Sequence, residues 1–491
     1  MTTTTWREHR TRVGLLAFLL LGMALRAWNL DGQSLWRDEV DTVRFATQPL
    51  PDLLSMFITP GHNGALYYLL VRPWITLFGH QDYALRYSSL LVGLLSIPLA
   101  FHVVRRWAGT RPAWVAALLV TASPYLIWYS QELRMYALVL TVVLLATLCW
   151  QRAYWEDHPR YWIPYVLLIS AGIYLHFLVA LLIPTHVILS LLFPRLLRRH
   201  WRGWVLAYAL FVLPYIPLAW WQKKLLFSPT FRTGHPFVPL PQMFLKLLTV
   251  FSVGIHLISM PDGVPAHMRI VPLLFLALLG LIFASRNARP TPAPSLARRV
   301  SLALWFILPI VGLYLISLEL PLFTERYMIW TAPALYALAG LGAWALARWR
   351  PASLATLGLV LTLFVLGTGY QVRHPIKPDM RAVVQYVESQ RAPDSVVLLH
   401  LGYLIHAYTY YAPDARPHLR EAPAPGPQGS LDQTGQDILI RLEGARDVWL
   451  VESESAMWDP KGLVRLWLEQ HATILEDRNF VGIRVTHFRL P

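Results

Sequence analysis

Asp38, Glu39 and Asp41 place three carboxylates within four positions, directly after Trp36 and Arg37. The first long apolar run of the chain, residues 13–30, ends shortly before them. A solvated loop tolerates such a cluster, and so does the first turn of a helix, whose dipole favours acids. At a lipid–water boundary the same cluster suits proton transfer, because a carboxylate within hydrogen-bond reach of a hydroxyl can act as a general base. Three further features stand at the ends of apolar runs: Glu132 with Arg134, His176, and Glu325 with Arg326. Arginine offers phosphate a planar fork of donors, so acids and arginines on one face fit work on an anionic lipid-linked substrate. Each feature also has a plainer reading. Glu132 and Arg134 can pair to stabilise a turn, His176 can simply pack, and Arg326 can snorkel to the interface.

The elements that must position these groups are membrane helices. The chain is 55% hydrophobic and 14% charged, where soluble domains carry roughly a quarter charged residues. Apolar runs near the ~20 residues that cross a bilayer recur to about residue 370. The 21 Trp and 22 Tyr suit many lipid–water boundaries. The net charge of +15 sits in short Arg-bearing loops between spans, so it speaks for orientation in a membrane and against nucleic acid. The single cysteine, Cys149, excludes an intrachain disulfide. Residues 13–30 lack a small-residue cleavage pattern and read as a retained helix.

Basic residues alternate with the runs, and this predicts about eleven spans with the N-terminus inside. They fall near 13–30, 84–104, 113–129, 135–150, a tight hairpin over 162–193 turning near Leu175 and His176, 204–221, 270–285, 302–316, 328–346 and 354–370. Loops 31–82 and 222–268 are then long outside loops, each with an apolar segment resting on the membrane (63–79 and 244–258). The inside loops carry Arg105, Arg106, Arg152, Arg160, Arg195–Arg202, Arg286, Arg289, Arg298, Arg299, Arg348 and Arg350. The expected fold is therefore an α-helical polytopic membrane domain over residues 1–370, followed by a soluble α/β domain over 371–491, outside the membrane. In that domain 380–390, 403–411 and 461–471 read as helices, 395–400, 447–452 and 481–488 as strands, and 413–435 as a loop. It holds neither a Gly-rich phosphate loop nor a nucleophile elbow, and reads as a structural or acceptor-docking module.

The order of short motifs carries a resemblance. Leu35-Trp36-Arg37-Asp38-Glu39 follows the first span, and Gly61-His62-Asn63-Gly64-Ala65-Leu66-Tyr67-Tyr68 lies in the next loop. Tyr129-Ser130-Gln131-Glu132-Leu133-Arg134-Met135-Tyr136, Tyr174-Leu175-His176-Phe177 and Glu325-Arg326-Tyr327 come later. Together they resemble the bacterial members of glycosyltransferase family 39, relatives of protein O-mannosyltransferases and lipid A aminoarabinose transferases in the GT-C class. The resemblance implies inverting transfer of a sugar from a polyprenyl-phosphate carrier to a glycan, lipid or protein acceptor outside the cytoplasmic membrane. It implies Asp38 as catalytic base, with Glu39 as second member of the acidic pair and Glu132 as the acid of the second outside loop. It also implies Arg134, Arg326, His62, His176 and Tyr327 as substrate-binding positions. The family often has Pro-Pro where this chain has Asn63-Gly64, and Asp in some relatives where it has Glu132.

The chemistry agrees with the resemblance. A departing phosphate needs charge neutralisation more than a general acid, and arginine or a metal supplies it. A divalent metal held by Asp38, Glu132 and His176 stays open, since no ligand spacing demands one. The competing class is a transporter or flippase of lipid-linked saccharide, which would place charges deep in the spans. Here the acids crowd one face.

Overall fold

A computed structural model of the chain describes residues 3–59, 62–226, 234–255, 266–283, 296–455 and 458–491. Arg286, Arg289 and parts of the 222–268 loop, including the end of its apolar segment, lie outside the described residues. The chain divides into two compact units, Met1–Leu30 with Gln48–Arg373 and Asp31–Thr47 with His374–Pro491.

The first unit is built of helices numbered here in chain order, with α2 reserved for the second unit. They are α1 (Thr3–Ala27), α3 (Leu50–Ser55), α4 (Ala65–Phe78), α5 (Asp82–Ala108), α6 (Thr110–Ala122), α7 (Pro124–Ser130) and α8 (Tyr136–Tyr154). The series continues with α9 (Trp162–Leu175), α10 (Leu182–Leu191), α11 (Pro194–Leu226), α12 (Leu240–Val253), α13 (Ala266–Phe283), α14 (Leu296–Ser317), α15 (Ala332–Ala345) and α16 (Arg350–Arg373). A helix stands at every span expected from hydropathy. Among the described residues, 5 helices are long and apolar enough to cross a bilayer, or 6 when α6 and α7 count as one bent span. α4 and α12, the segments expected to rest on the membrane, have 14 residues each, too short at 1.5 Å per residue to cross ~30 Å of hydrocarbon.

The bend between α6 and α7 is 56° and has a local cause. Pro124 has no N–H for the Val120 carbonyl four residues back. Arg26, fully buried at the end of α1, fills that gap: its guanidinium donates to Val120 O at 3.1 Å and Thr121 O at 3.0 Å. It also donates to Ser130 Oγ at 3.1 Å, while Gln131 Nε2 returns bonds to Arg26 O and Trp28 O. The loop carrying Glu132 and Arg134 is thereby tied to the end of α1. α9 and α10 form the expected hairpin, because the Tyr165 hydroxyl meets His186 Nδ1 at 2.9 Å across the pair. The chain turns at His176, whose backbone is extended (φ −158°, ψ 117°). α13 and α15 touch backbone to backbone: a Cβ at Gly342 would lie 1.8 Å from Leu276 O. Small residues allow this approach where lipid gives helices no hydrophobic reason to associate.

The second unit holds α2 (Arg37–Thr47), α17 (Met380–Gln390), α18 (Leu404–Tyr411), α19 (Leu431–Leu442) and α20 (Leu463–His471). Its strands are β1 (Val396–His400), β2 (Leu419–Glu421), β3 (Asp447–Glu452), β4 (Thr473–Phe480) and β5 (Ile483–Arg489), in sheet order β2-β1-β3-β5-β4. β2, β1 and β3 are parallel, and β5 runs antiparallel between β3 and β4. β1 is buried along its whole length, as strands covered on both faces are. On one face Leu398, Val448 and Leu450 pack with Ile438 of α19 and Val464 and Leu468 of α20. On the other, the Tyr386 ring of α17 meets Trp449 edge-on at 5.9 Å, and Tyr408 of α18 donates to Glu388 of α17.

Three differences from the sequence reading stand out. The 413–435 stretch, read as a loop, contains β2 and the start of α19. Gly435, which weakens the helical pattern there, is required for packing, since a Cβ would meet Trp467 Nε1 at 2.0 Å. β4 was not expected at all: nearly its whole length is exposed, and β5 alone gives it partners. Most consequentially, residues 31–47, placed with the membrane domain, belong to the second unit. Gln33 Oε1 accepts from the amides of Ile376 and Lys377, and Ser34 Oγ donates to Pro378 O at 2.8 Å. Leu35 N donates to the Tyr411 hydroxyl at 2.7 Å.

Candidate active site

In the helical unit, the residues singled out from sequence gather around His176. It sits in the turn between α9 and α10 and is 2% exposed. Its Nδ1 accepts from Leu178 N at 3.3 Å, so the neutral ring carries its proton on Nε2. That nitrogen has no hydrogen-bond partner among the described residues. Arg134 and Arg326 lie close enough to act on the ring electrostatically.

Tyr327 lies 4.6 Å from His176, centroid to centroid, and Tyr136 lies 6.2 Å from it. The Arg326 guanidinium carbon stands 5.7 Å from the Tyr136 ring centre and 5.9 Å from that of Tyr327. Aromatic faces attract a guanidinium by cation–π interaction, and the guanidinium itself has the planar donor geometry that suits phosphate. Tyr129 packs on Tyr136 at 5.3 Å and on Tyr125 at 4.9 Å, and its hydroxyl feels the charges of Glu132 and Arg326. Tyr125 donates to the Glu325 carbonyl at 2.7 Å, fixing the 3₁₀ stretch Glu325–Thr331 that carries Arg326 and Tyr327. Glu132 is 1% exposed, a buried acid.

His62 is exposed and precedes α4. The Asn63-Gly64 pair that departs from the family pattern has a structural reason. Asn63 Oδ1 accepts from Phe177 N at 3.3 Å, beside His176. Gly64 has φ 87°, where proline cannot go, and a Cβ there would lie 3.1 Å from Met135. The tyrosines 125, 129 and 136 were missed as site residues. For the last two the signal was present in the Tyr129-to-Tyr136 motif, which places an aromatic on each side of Glu132 and Arg134.

In the second unit, Asp38 and Glu39 lie in the first turn of α2. Asp38 is half-buried. Glu39, expected as its partner acid, is fully buried, and its Oε2 accepts from Lys377 Nζ at 2.8 Å. That carboxylate is committed to anchoring α2. Asp41 pairs with Arg44 at 3.5 Å, and burial pushes its carboxyl up while Arg44 opposes the shift. Among the described residues, no group of three metal-ligating side chains could hold an ion.

Residues 63–221 match the family model described as dolichyl-phosphate-mannose-protein mannosyltransferase. The structure of ArnT from Cupriavidus metallidurans bound to undecaprenyl phosphate is similar at TM-score 0.60 and 14% identity, covering 99% of this chain and 98% of that one. The Archaeoglobus fulgidus oligosaccharyltransferase tethered with an acceptor peptide is similar at TM-score 0.56 and 11% identity, over 99% of this chain and 75% of that one. The archaeal oligosaccharyltransferase AglB from Archaeoglobus fulgidus, in complex with an inhibitory peptide and a dolichol-phosphate, gives TM-score 0.53 and 13% identity over 98% and 74%. No curated protein matches the sequence. The fold, multiple apolar helices followed by a strand-containing C-terminal domain, is similar to that of ArnT. The pattern over 63–221 is similar to that family model, and the fold is similar to those of the three solved proteins.

Proposed function

We propose that the protein transfers a sugar from a polyprenyl-phosphate carrier to an acceptor on the outer side of the cytoplasmic membrane, with inversion. The observation that carries this reading is the cluster of Arg134, Arg326 and the spare His176 N–H among tyrosines. Two guanidinium forks and a neutral donor match the oxygens of a phosphate monoester or diester. The undecaprenyl phosphate in the ArnT structure and the dolichol-phosphate in the AglB structure support the same choice.

The reaction is a single displacement. The acceptor hydroxyl attacks the anomeric carbon opposite the phosphate, its proton passes to Asp38, and the C–O bond to phosphate breaks with both electrons. The carrier phosphate leaves as an anion held by Arg134, Arg326 and His176. Tyr327 and His62 contact the carrier or its sugar, and Glu132 balances the arginines. Glu39 serves by holding α2 through Lys377.

Incubating the purified protein with a panel of polyprenyl-phosphate sugars and measuring carrier release tests the activity. Carrier binding tests the cluster. Arg326→Lys replaces a fork by a point charge and should weaken carrier affinity about tenfold, the worth of one charge-assisted hydrogen bond. Unchanged affinity in both Arg134→Ala and Arg326→Ala would return these residues to snorkelling.

The sidedness is equally open to measurement. With Cys149→Ser as background, single cysteines at Gly32 and Gln428, both exposed, should each react with a membrane-impermeant maleimide in intact cells. Protection of the Gln428 position alone would mean an odd number of crossings between the two.

A further inference from the structure

The chain leaves β1 through α18 toward β2, and leaves β3 through α20 toward the opposite edge of the sheet. The carboxyl ends of β1 and β3 therefore meet at a switch in direction, the place where open α/β sheets take ligands. A cavity of about 650 Å³ lies there, lined from the end of β3, the start of α20 and the β4–β5 turn. Ligand pockets span roughly 300–1,000 Å³.

Its charges balance: Glu452, Glu454 and Asp459 face Lys461, Arg465 and Arg484. The features that would draw a phosphate are already in use. Arg465 Nε donates to Glu452 at 2.8 Å, and Arg484 donates to both oxygens of Asp477 at 3.0 and 2.6 Å. The N-terminus of α20 is capped by Asp459, whose carboxylate accepts from Leu463 N and Val464 N at 2.9 Å each. What the rim offers is a mixture of donors and acceptors in Glu454, Lys461 and Asn479 beside the apolar ring of Phe480. Vicinal hydroxyls, each both donor and acceptor, with a C–H face to lay on an aromatic ring, fit that lining.

Two observations mark the cleft as built for more than stability. His400, 1% exposed, holds its ring nitrogens 3.7 Å from Glu452 Oε1 and from Asp459 Oδ2, with no hydrogen bond among the described residues. Buried polar atoms left so are rare. Both strands also end in strained backbone, with Leu401 at φ 129° and Glu454 at φ 50°. The rim is linked to α2 as well. Glu454 accepts from the Tyr403 hydroxyl at 2.9 Å, and Arg37, the neighbour of Asp38, stacks over the Tyr403 ring at 4.2 Å.

We propose that this cleft binds the acceptor, and that the acceptor is a saccharide chain held by Glu454, Lys461 and Asn479 with one sugar ring against Phe480. The word acceptor rests on the glycosyltransferase reading; the saccharide affinity does not. The test uses the full-length protein in nanodiscs with no donor present, on an array of hexose, hexosamine and deoxyhexose oligosaccharides, followed by saturation-transfer NMR of the best binder. Saturable binding is expected, weakened about tenfold by Glu454→Gln and by Asn479→Ala, each removing one hydrogen-bonding group. An array without a binder, or binding indifferent to both cleft variants, overturns the proposal. Displacement of the oligosaccharide by inorganic phosphate also overturns it, by showing an anion site. Saccharide binding with no transfer from any polyprenyl-phosphate sugar refutes the acceptor role and the glycosyltransferase reading, while the cleft remains a saccharide site.

Discussion

Asp38→Asn is expected to lower single-turnover sugar transfer by about 10²–10⁴-fold, the usual worth of a general base, while carrier binding stays near normal. The amide keeps the size and much of the hydrogen bonding of the acid but cannot take the acceptor's proton. Asp38 stands half-buried in the first turn of α2, where its backbone carbonyl accepts from Thr42 Oγ1 at 3.0 Å. That bond involves the main chain, so the substitution leaves it intact. Asp41→Asn is the matched control. Its carboxylate meets Arg44 at 3.5 Å in a partly exposed i,i+3 pair, worth about 0.2–1 kcal/mol or less. Transfer by the Asp41 variant should stay within a few-fold of the parent. If Asp38→Asn turns over near-normally with an unchanged melting profile, Asp38 is not the base. Glu132 then becomes the candidate, because Glu39 is bound up with Lys377.

How much of this was legible in the sequence depended on whether a signal was local. Helix α17 and strand β3 lie where helical periodicity and a short apolar run put them: Met380–Gln390 buries one face, and Asp447–Glu452 is buried along nearly its whole length. The α9–α10 turn at His176 was legible because two basic flanks force an even number of crossings. β4 was not, because its residues are almost all exposed and its existence depends on β5, which lies after it. Nor did any local pattern show that α2 belongs with the C-terminal unit. The bonds that decide it join Gln33, Ser34 and Leu35 to Ile376, Pro378 and Tyr411, more than three hundred positions away. In the candidate site the charged members were found because charge at the end of an apolar run is conspicuous. Tyr136, which seats Arg326 together with Tyr327, was hidden as a site residue, since aromatic residues at membrane boundaries are common for unrelated reasons.

The Glu39–Lys377 pair carries the largest expected effect on stability. Both side chains are buried, Glu39 fully and Lys377 at 7% exposure, with Nζ and Oε2 2.8 Å apart. Removing one partner from such a pair leaves a buried charge without its counter-ion, which costs about 3–5 kcal/mol, whereas replacing both by apolar residues is often neutral. Lys377→Met should therefore loosen α2 strongly, and Glu39→Leu with Lys377→Met should recover most of the loss. Hydrogen exchange of the 31–47 amides in the full-length protein reads this directly: protection falls in the single variant and returns in the double. Because Asp38 rides on α2, transfer should fall with the same variant and return with the double, although neither substitution removes an atom assigned to the chemistry. If the single variant keeps its protection, α2 is held by the bonds of Gln33, Ser34 and Leu35 alone. The buried acid would then have to be explained by something other than anchoring.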